Sequence, residues 1–235
     1  MKSILPLLPF LPFLSTSPLV AQSDVKTLAS FPEQAVNIHT WMKQHGWESK
    51  RHDPKRFEIG KGRLRLVSHK DSVMIGTKRG FPLDPRMYPK IRFTIRIDRN
   101  PVGTNPAIKS GDDSAFRLYI AFDRGGGIFS PPNSIAYSWT EKRQGVETSV
   151  SPHYKSVRNL YIGHGLTPPA KEGADKPVFV TIERDLLADY RKCFPKDSKA
   201  VPMLAGVMVK CDTNNTGTSA EASLSKLELI ASKGR

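Results

Sequence analysis

Two adjacent carboxylates are the first candidates for chemistry in this sequence. Asp112 and Asp113 end a polar loop and enter a segment that alternates apolar and polar residues and carries Arg117. Neighbouring side chains of an extended chain point to opposite faces, so the two carboxylates cannot easily share a proton. Two interpretations stay open: the carboxylates contribute with Arg117 to a ligand or metal site, or they cap an Asx-type turn.

A second polar cluster, after Cys211, begins like a calcium loop. Asp212, Asn214 and Thr216 place oxygen atoms at alternate positions, and a glycine follows. Alternating oxygen ligands suit a hard cation, so these three residues are candidate calcium ligands. The acid that closes an EF-hand loop is missing, because Ser223 stands at the twelfth position. The alternatives are a looser calcium site and a polar β-turn. No other cofactor is predicted.

Aromatic residues on predicted strands are candidates for saccharide contact. A flat ring beside planar hydrogen-bonding groups suits a sugar ring, which makes Tyr137 and Trp139 candidate ligand-binding residues alongside Tyr119. The alternative places these rings in the core. His164 stands between two glycines at the end of a predicted strand, where it is either a site residue or a solvated loop residue.

Five carboxylates could serve acid–base chemistry on glycosides if two of them converge at about 5 to 10 Å. They are Asp112, Asp113, Glu183, Asp189 and Asp212. The sequence contains no zinc-helix motif, nucleophile elbow, P-loop or dinucleotide-binding glycine motif.

The elements that position these residues are mostly strands. Lys90–Asp98 and Ala115–Phe122 alternate apolar and polar residues, which predicts half-buried strands. One helix is predicted over Glu183–Phe194, where apolar residues recur every three or four positions before Pro195. Further strands are predicted at Arg63–Val67, Ser72–Gly76, Ile135–Trp139, Val157–Ile162, Val178–Ile182, Leu204–Cys211 and Ala222–Ile230. The pattern favours an all-β fold with two packed antiparallel sheets and one short helix in a late crossover.

The first residues have the pattern of a secretory signal peptide over residues 1–21, with cleavage after residue 21 or after Ser23. The apolar run Ile4–Leu14 is shorter than the roughly 20 residues of a membrane span. We therefore expect a periplasmic or secreted protein without a membrane span, an N-terminal segment over 22–45 and a β-sandwich over 46–231.

The chain is strongly basic, with a formal net charge of +14. Between Lys43 and Arg99 there are 16 Lys and Arg residues against 6 Asp and Glu residues. This excess indicates either a solvated basic face or an acidic partner. In an exported protein such a partner is an anionic polysaccharide, a lipid headgroup or another envelope polymer rather than nucleic acid. The sequence makes no prediction of the oligomeric state.

The two cysteines, Cys193 and Cys211, have two interpretations. In an oxidising compartment they can form a disulfide, which would stabilise the fold by about 3 kcal/mol. Alternatively, both are buried free thiols.

Several motifs occur in an order that resembles a known family. They are Ser110–Arg117, Ile135–Trp139, Arg184 with Asp189–Arg191 and Phe194, and Asp212–Gly217. This order resembles the bacterial exported family catalogued as domain of unknown function 3047, over roughly Gly46–Ile230. The resemblance implies a jelly-roll or galactose-binding-like β-sandwich without an established activity, and its motif adds Arg184 and Asp189 to the candidate ligand-binding residues. Asn214 departs from the family pattern, which usually has a second aspartate there.

These observations favour an exported module that binds a carbohydrate or a polyanion. The alternatives are a glycoside hydrolase that uses paired carboxylates and a purely structural envelope protein.

Overall fold

The computed structural model describes residues 24–50, 52–123, 132–167, 178–197 and 202–232. Within these ranges the chain forms strands in two sheets, together with two α-helices. The strands are β1 (Val25–Ser30), β2 (Glu48–Lys50), β3 (Glu58–Gly60), β4 (Arg63–His69), β5 (Ser72–Thr77), β6 (Lys90–Arg99), β7 (Ser114–Asp123), β8 (Asn133–Thr140), β9 (Thr148–Val150), β10 (Val157–His164), β11 (Val180–Asp185), β12 (Met203–Asp212) and β13 (Ser219–Ile230). The helices are α1 (Ile38–His45) and α2 (Leu186–Cys193).

A six-stranded sheet is built around β13. Its order is β11-β6-β13-β4-β3, and β1 also pairs with β13. β6 pairs along one edge of β13. The other edge is shared by two strands, since β4 pairs with its first half and β1 with its second half. All pairs in this sheet are antiparallel.

A seven-stranded sheet forms the other layer, in the order β2-β5-β12-β7-β8-β10-β9. Its pairs are antiparallel except for β8 and β10, which run parallel. This exception to the predicted antiparallel pattern arises because β10 lies between β8 and β9. After β8 the chain leaves room for one strand and forms β9 at the sheet edge. It then turns back, and β10 fills the space between them, running parallel to β8.

The core lies between the two sheets. Ile91, Phe93, Ile95 and Ile97 of β6 are fully buried, as the alternation predicts. The Phe93 ring lies 6.0 Å from the ring of Phe116 in the facing sheet. Burial of each such side chain stabilises the fold by about 1.5 to 3 kcal/mol. The predicted two-sheet β-sandwich is therefore confirmed.

The predicted late helix is α2, which leads from β11 in one sheet to β12 in the other. It begins at Leu186 rather than Glu183, because β11 stays paired with β6 as far as Asp185. Asp185 then caps the helix, since its Oδ1 accepts a hydrogen bond of 2.9 Å from the Ala188 N–H.

The N-terminal segment packs into the sandwich, across the predicted boundary at residue 46. β1 pairs with β13, and α1 buries Trp41, which is 2 % exposed. The Trp41 ring packs at 5.0 Å from Phe31 and at 5.7 Å from Trp47, on the far side of the predicted boundary. The apolar pattern of this segment is short and irregular, so the sequence did not predict that its residues enter the core.

The predicted disulfide is not formed, because Cys193 and Cys211 are both buried free thiols. Cys193 ends α2, whereas Cys211 lies in β12 with its Sγ 4.0 Å from the Ala220 carbonyl oxygen. Burial raises the pKa of the Cys193 thiol to about 12 and also raises that of Cys211. Both side chains thus behave as small apolar core residues.

The predicted signal peptide lies outside the described residues, so export stays a prediction. Among the helices that the structure describes, none is long and apolar enough to cross a membrane.

Replacement of Trp41 tests whether the N-terminal segment belongs to the domain. We expect Trp41→Ala to lower the free energy of unfolding by about 3 to 5 kcal/mol, because it opens a cavity in the core. The exposed Lys43→Ala on the same helix should change it by less than about 0.5 kcal/mol. Urea unfolding measures both, and equal small effects would contradict the assignment.

Candidate binding groove

The outer face of the seven-stranded sheet, turned away from the core, carries a concavity of about 520 Å³. Strands β5, β7, β8 and β12 form its floor, and loops at one end of the sheet form its walls. We call it the outer groove. Its lining includes Met74, Asp112, Tyr119, His153, Tyr154, Lys210 and Asp212.

Strand alternation brings these side chains to one face. In β12, Val207 and Val209 enter the core, whereas Met208 and Lys210 face the groove. The register places Met208 opposite Tyr119 of β7. Residues from separate parts of the sequence therefore meet across neighbouring strands.

A buried guanidinium lies beneath this face. Arg117 of β7 is 2 % exposed although it points away from the apolar core, and Asp112 is 3 % exposed. The Arg117 Nη2 donates a hydrogen bond of 2.8 Å to the Asp112 Oδ1. His153 reaches the other oxygen of this carboxylate, with its Nε2 at 3.7 Å. Two of the candidate residues, Asp112 and Arg117, are thus paired with each other.

A second ion pair lies in the same floor. Asp212 is 1 % exposed, and the Lys210 ammonium contacts its Oδ2. Burial alone lowers the pKa of the Arg117 guanidinium, but its interactions with Tyr119 and the two carboxylates outweigh burial and raise the pKa. Two cations and two carboxylates therefore balance in the floor.

Two buried polar atoms of this floor lack a hydrogen-bond partner among the described residues. They are the Arg117 Nε and the Asp212 Oδ1. Unpaired buried polar atoms are uncommon, and they often mark a place where water or a ligand binds. Of the two residues, Asp212 lines the groove directly.

Asp113 has a different function from its neighbour. Its carboxylate accepts hydrogen bonds from the Thr216 N–H at 2.6 Å and from the Asn215 backbone and side-chain N–H groups at 3.1 and 2.9 Å. Asp113 therefore fastens the loop after β12 and does not face a ligand. As the extended geometry predicts, the two adjacent carboxylates form no dyad.

Two of the three predicted calcium ligands have other partners. Asp212 pairs with Lys210, and the Thr216 hydroxyl lies 2.9 Å from the Thr218 hydroxyl. Asn214 lines the outer groove. The described residues contain no group of three or more His, Cys, Asp or Glu side chains that could hold a metal ion. These contacts favour the alternative of a polar turn, anchored by Asp113.

Tyr137 and Trp139 lie in the core, so their prediction as sugar-binding residues is wrong. Tyr137 is fully buried, with its ring 6.0 Å from that of Phe93, and Trp139 is 7 % exposed. The Trp139 Nε1 donates a hydrogen bond of 2.7 Å to the Gly165 carbonyl oxygen. Both faces of β8 are buried, so alternation did not reveal which face is outside.

Arg184 and Asp189 form a buried anchor for α2 rather than a ligand site. The Arg184 Nε and Nη2 donate to the two oxygens of Asp189 at 2.9 and 2.5 Å. The Tyr137 hydroxyl also donates to Asp189, at 2.9 Å. The hydrogen bond to Asp189 raises the pKa of Arg184, and burial raises the pKa of Tyr137. The three side chains join α2 to β8 and β11.

His164 does not meet the other candidate residues. It is exposed at the end of β10 and lines a separate hollow of about 360 Å³ together with Arg143, Glu147 and Tyr161.

The carboxylates proposed for hydrolysis are all held by donors. Each has a cation or amide partner: Arg117 for Asp112, loop amides for Asp113, Lys90 for Glu183, Arg184 for Asp189 and Lys210 for Asp212. Asp112 and Asp212 line the same groove, but both are engaged. The hydrolase hypothesis therefore loses its supporting observation.

Several basic residues of the strand faces are also paired. On the outer face of the six-stranded sheet, Arg65 contacts Glu221 at 2.6 Å and Glu58 at 3.0 Å. Arg92 contacts Glu228 at 3.0 Å. The hydrogen bond from Arg65 lowers the pKa of Glu221. This face is therefore a ladder of ion pairs and not a uniform basic surface.

Sequence reasoning missed several groove residues. Lys210 was detectable, because it alternates with core valines in a predicted strand. His153 and Tyr154 lie in a loop between β9 and β10, and no periodic pattern marks them. These two residues reach the groove because the strand that follows their loop, β10, pairs in parallel with β8.

Removal of Asp189 tests the structural assignment of the anchor. We expect Asp189→Ala to lower the free energy of unfolding by about 2 to 4 kcal/mol, because it leaves the Tyr137 hydroxyl buried and unpaired. Tyr137→Phe should cost about 1 kcal/mol, since Arg184 still satisfies the carboxylate. Chemical denaturation measures both. A melting temperature unchanged by Asp189→Ala would contradict the anchor.

Comparisons with known proteins give the family and no activity. No curated protein matches the chain. Among solved structures, the chain is similar to the Emp47p carbohydrate recognition domain, with 11% sequence identity and a TM-score of 0.39 over 89% of this chain and 97% of that one. The family model described as "Protein of unknown function (DUF3047)" matches residues 40–228, which is most of the chain. The chain therefore belongs to the DUF3047 family, as its ordered motifs indicated.

Proposed function

We propose that the outer groove binds a saccharide. The observation that carries this proposal is the meeting of the Tyr119 and Tyr154 rings with fixed polar groups in one concavity of about 520 Å³. Tyr154 is 54% exposed, so its ring is accessible to a ligand. Volumes of about 300 to 1,000 Å³ are typical of small-ligand sites.

The chemistry of the lining matches that of a sugar ring. A sugar presents C–H groups on its faces and hydroxyl groups at its edge, so it needs flat apolar surfaces beside hydrogen-bonding groups. Tyr119 and Tyr154 supply the rings, and Asn214 supplies an amide. Asp212 adds a carboxylate oxygen that has no partner among the described residues.

The buried ion pairs prepare the floor for binding. Arg117 and Asp112 hold each other, and Lys210 holds Asp212, so these groups lose little freedom when a ligand binds. Hydrogen bonds between a ligand and the groove-lining Lys210 or Asp212 are charge-assisted, which makes each worth about 1.5 to 3 kcal/mol. Because the floor's charges balance, hydroxyl groups suit it better than an ion does.

We also propose that the protein acts outside the cytoplasm, in the periplasm or after secretion. The predicted signal peptide over residues 1–21 supports this location, and extracellular or envelope glycans would then be accessible to the groove.

Replacement of an exposed groove ring tests the proposal. After a glycan array has identified a ligand, titration calorimetry should show that Tyr154→Ala weakens binding by about 5- to 30-fold, because it removes ring contact worth about 1 to 2 kcal/mol. Phe179→Ala is a matched control, since Phe179 is 37% exposed and packs under Arg96 of the other sheet.

The melting temperature should change little in Tyr154→Ala. Binding unaffected by Tyr154→Ala, or equally weakened by Phe179→Ala, would place the ligand elsewhere. If no array glycan binds the unmodified protein below millimolar concentration, the saccharide proposal fails.

A further inference from the structure

A second hollow adjoins the outer groove. It has a volume of about 910 Å³ and lies between the edge strand β9, its neighbour β10 and the end of α2. His153 and Tyr154 line both concavities, so the two are neighbours across this loop. We call it the basic hollow. Its lining includes Ser149, His153, Tyr154, Lys155, Arg158 and Lys196.

The charge of the basic hollow is not compensated. Lys192 also lines it but pairs with Glu147 at 2.6 Å. Lys155, Arg158 and Lys196 have no carboxylate partner within 4 Å among the described residues. Asp197, the acidic residue of the lining, accepts a hydrogen bond of 2.8 Å from the neutral Asn133 amide and offsets one of these three charges, so a net positive excess remains. This excess contrasts with the balanced floor of the outer groove.

Arg158, one of these cations, is held in place by two contacts. Its guanidinium lies 5.1 Å from the centre of the Phe194 ring, and Phe194 is buried at the end of α2. Its Nη1 donates a hydrogen bond of 2.6 Å to the Lys155 carbonyl oxygen. The remaining N–H groups of a fixed, planar guanidinium suit the paired oxygens of a carboxylate or sulfate.

We propose that the saccharide of the outer groove is acidic, and that the basic hollow binds its carboxylate or sulfate group through Arg158 and Lys196. This inference rests on the proposed function, because it needs a sugar chain that passes from the groove over His153 and Tyr154. The uncharged sugar rings of the ligand occupy the outer groove, whose floor is charge-balanced. Its anionic substituent reaches Arg158 and Lys196 on the other side of the loop that carries His153 and Tyr154.

Matched glycans and matched variants test this inference. The probes are oligosaccharides with the same backbone in neutral, uronic-acid and O-sulfated forms, first on an array and then by calorimetry. The test variant is Arg158→Gln/Lys196→Gln. The control variant is Lys43→Gln/Arg191→Gln, which removes the same charge from exposed positions outside both concavities.

We expect the unmodified protein to bind an acidic form about tenfold more tightly than its neutral counterpart at low salt. The test variant should lose this preference and retain its affinity for the neutral form, whereas the control variant should retain the preference. Raising the ionic strength should reduce the preference without affecting binding of the neutral form.

The possible failures separate the two proposals. Equal affinity for neutral and acidic forms overturns the acidic-ligand inference but leaves the saccharide groove standing. A preference that survives in the test variant, or that falls equally in the control variant, overturns the basic hollow as its origin. Absence of any glycan binding overturns both.

Discussion

The buried contact between Arg117 and Asp112 determines the character of the seven-stranded sheet. A guanidinium at 2 % exposure is costly unless its charge and its donors are satisfied, so the surrounding elements must supply partners. Asp112 does so from the loop before β7, and Lys210 neutralises the neighbouring Asp212. The result is a polar, charge-balanced floor on the side of the sheet that faces away from the core, and the outer groove is built on it.

The other charged motifs stabilise the fold around this floor. Asp113 fixes the loop after β12, the Arg184–Asp189–Tyr137 cluster fixes α2, and Arg65 bridges two glutamates on the opposite sheet. Because these groups are engaged with one another, they explain architecture and not activity. Two neighbouring concavities carry groups that are not engaged in this way: the outer groove has unpartnered buried atoms in its floor, and the basic hollow has unpaired cations. The outer groove and the basic hollow share His153 and Tyr154 as a wall. A single extended binding surface therefore explains both the unpartnered atoms and the unpaired cations.

Much of the sandwich was predictable from the sequence, because period-two alternation in β6 and β7 identifies both the strands and the side that enters the core. Three features were not. Tyr137 and Trp139 follow the same alternation, but β8 is buried on both faces. The local pattern therefore does not show which of its two faces turns toward the core between the sheets. Arg117 was correctly placed opposite the core, yet its burial depends on Asp112 and on strands distant in sequence. The N-terminal segment joins through β1, whose partner β13 lies at the other end of the chain.

Mapping of amide chemical shifts with a bound glycan tests the central claim most directly. On addition of the tightest array glycan, the account predicts that the largest shifts cluster at Tyr119, Tyr154 and Lys210 in the outer groove, with further shifts at Arg158 if the glycan is acidic. Shifts concentrated instead on the outer face of the six-stranded sheet, around Arg92 and Lys226, would contradict it.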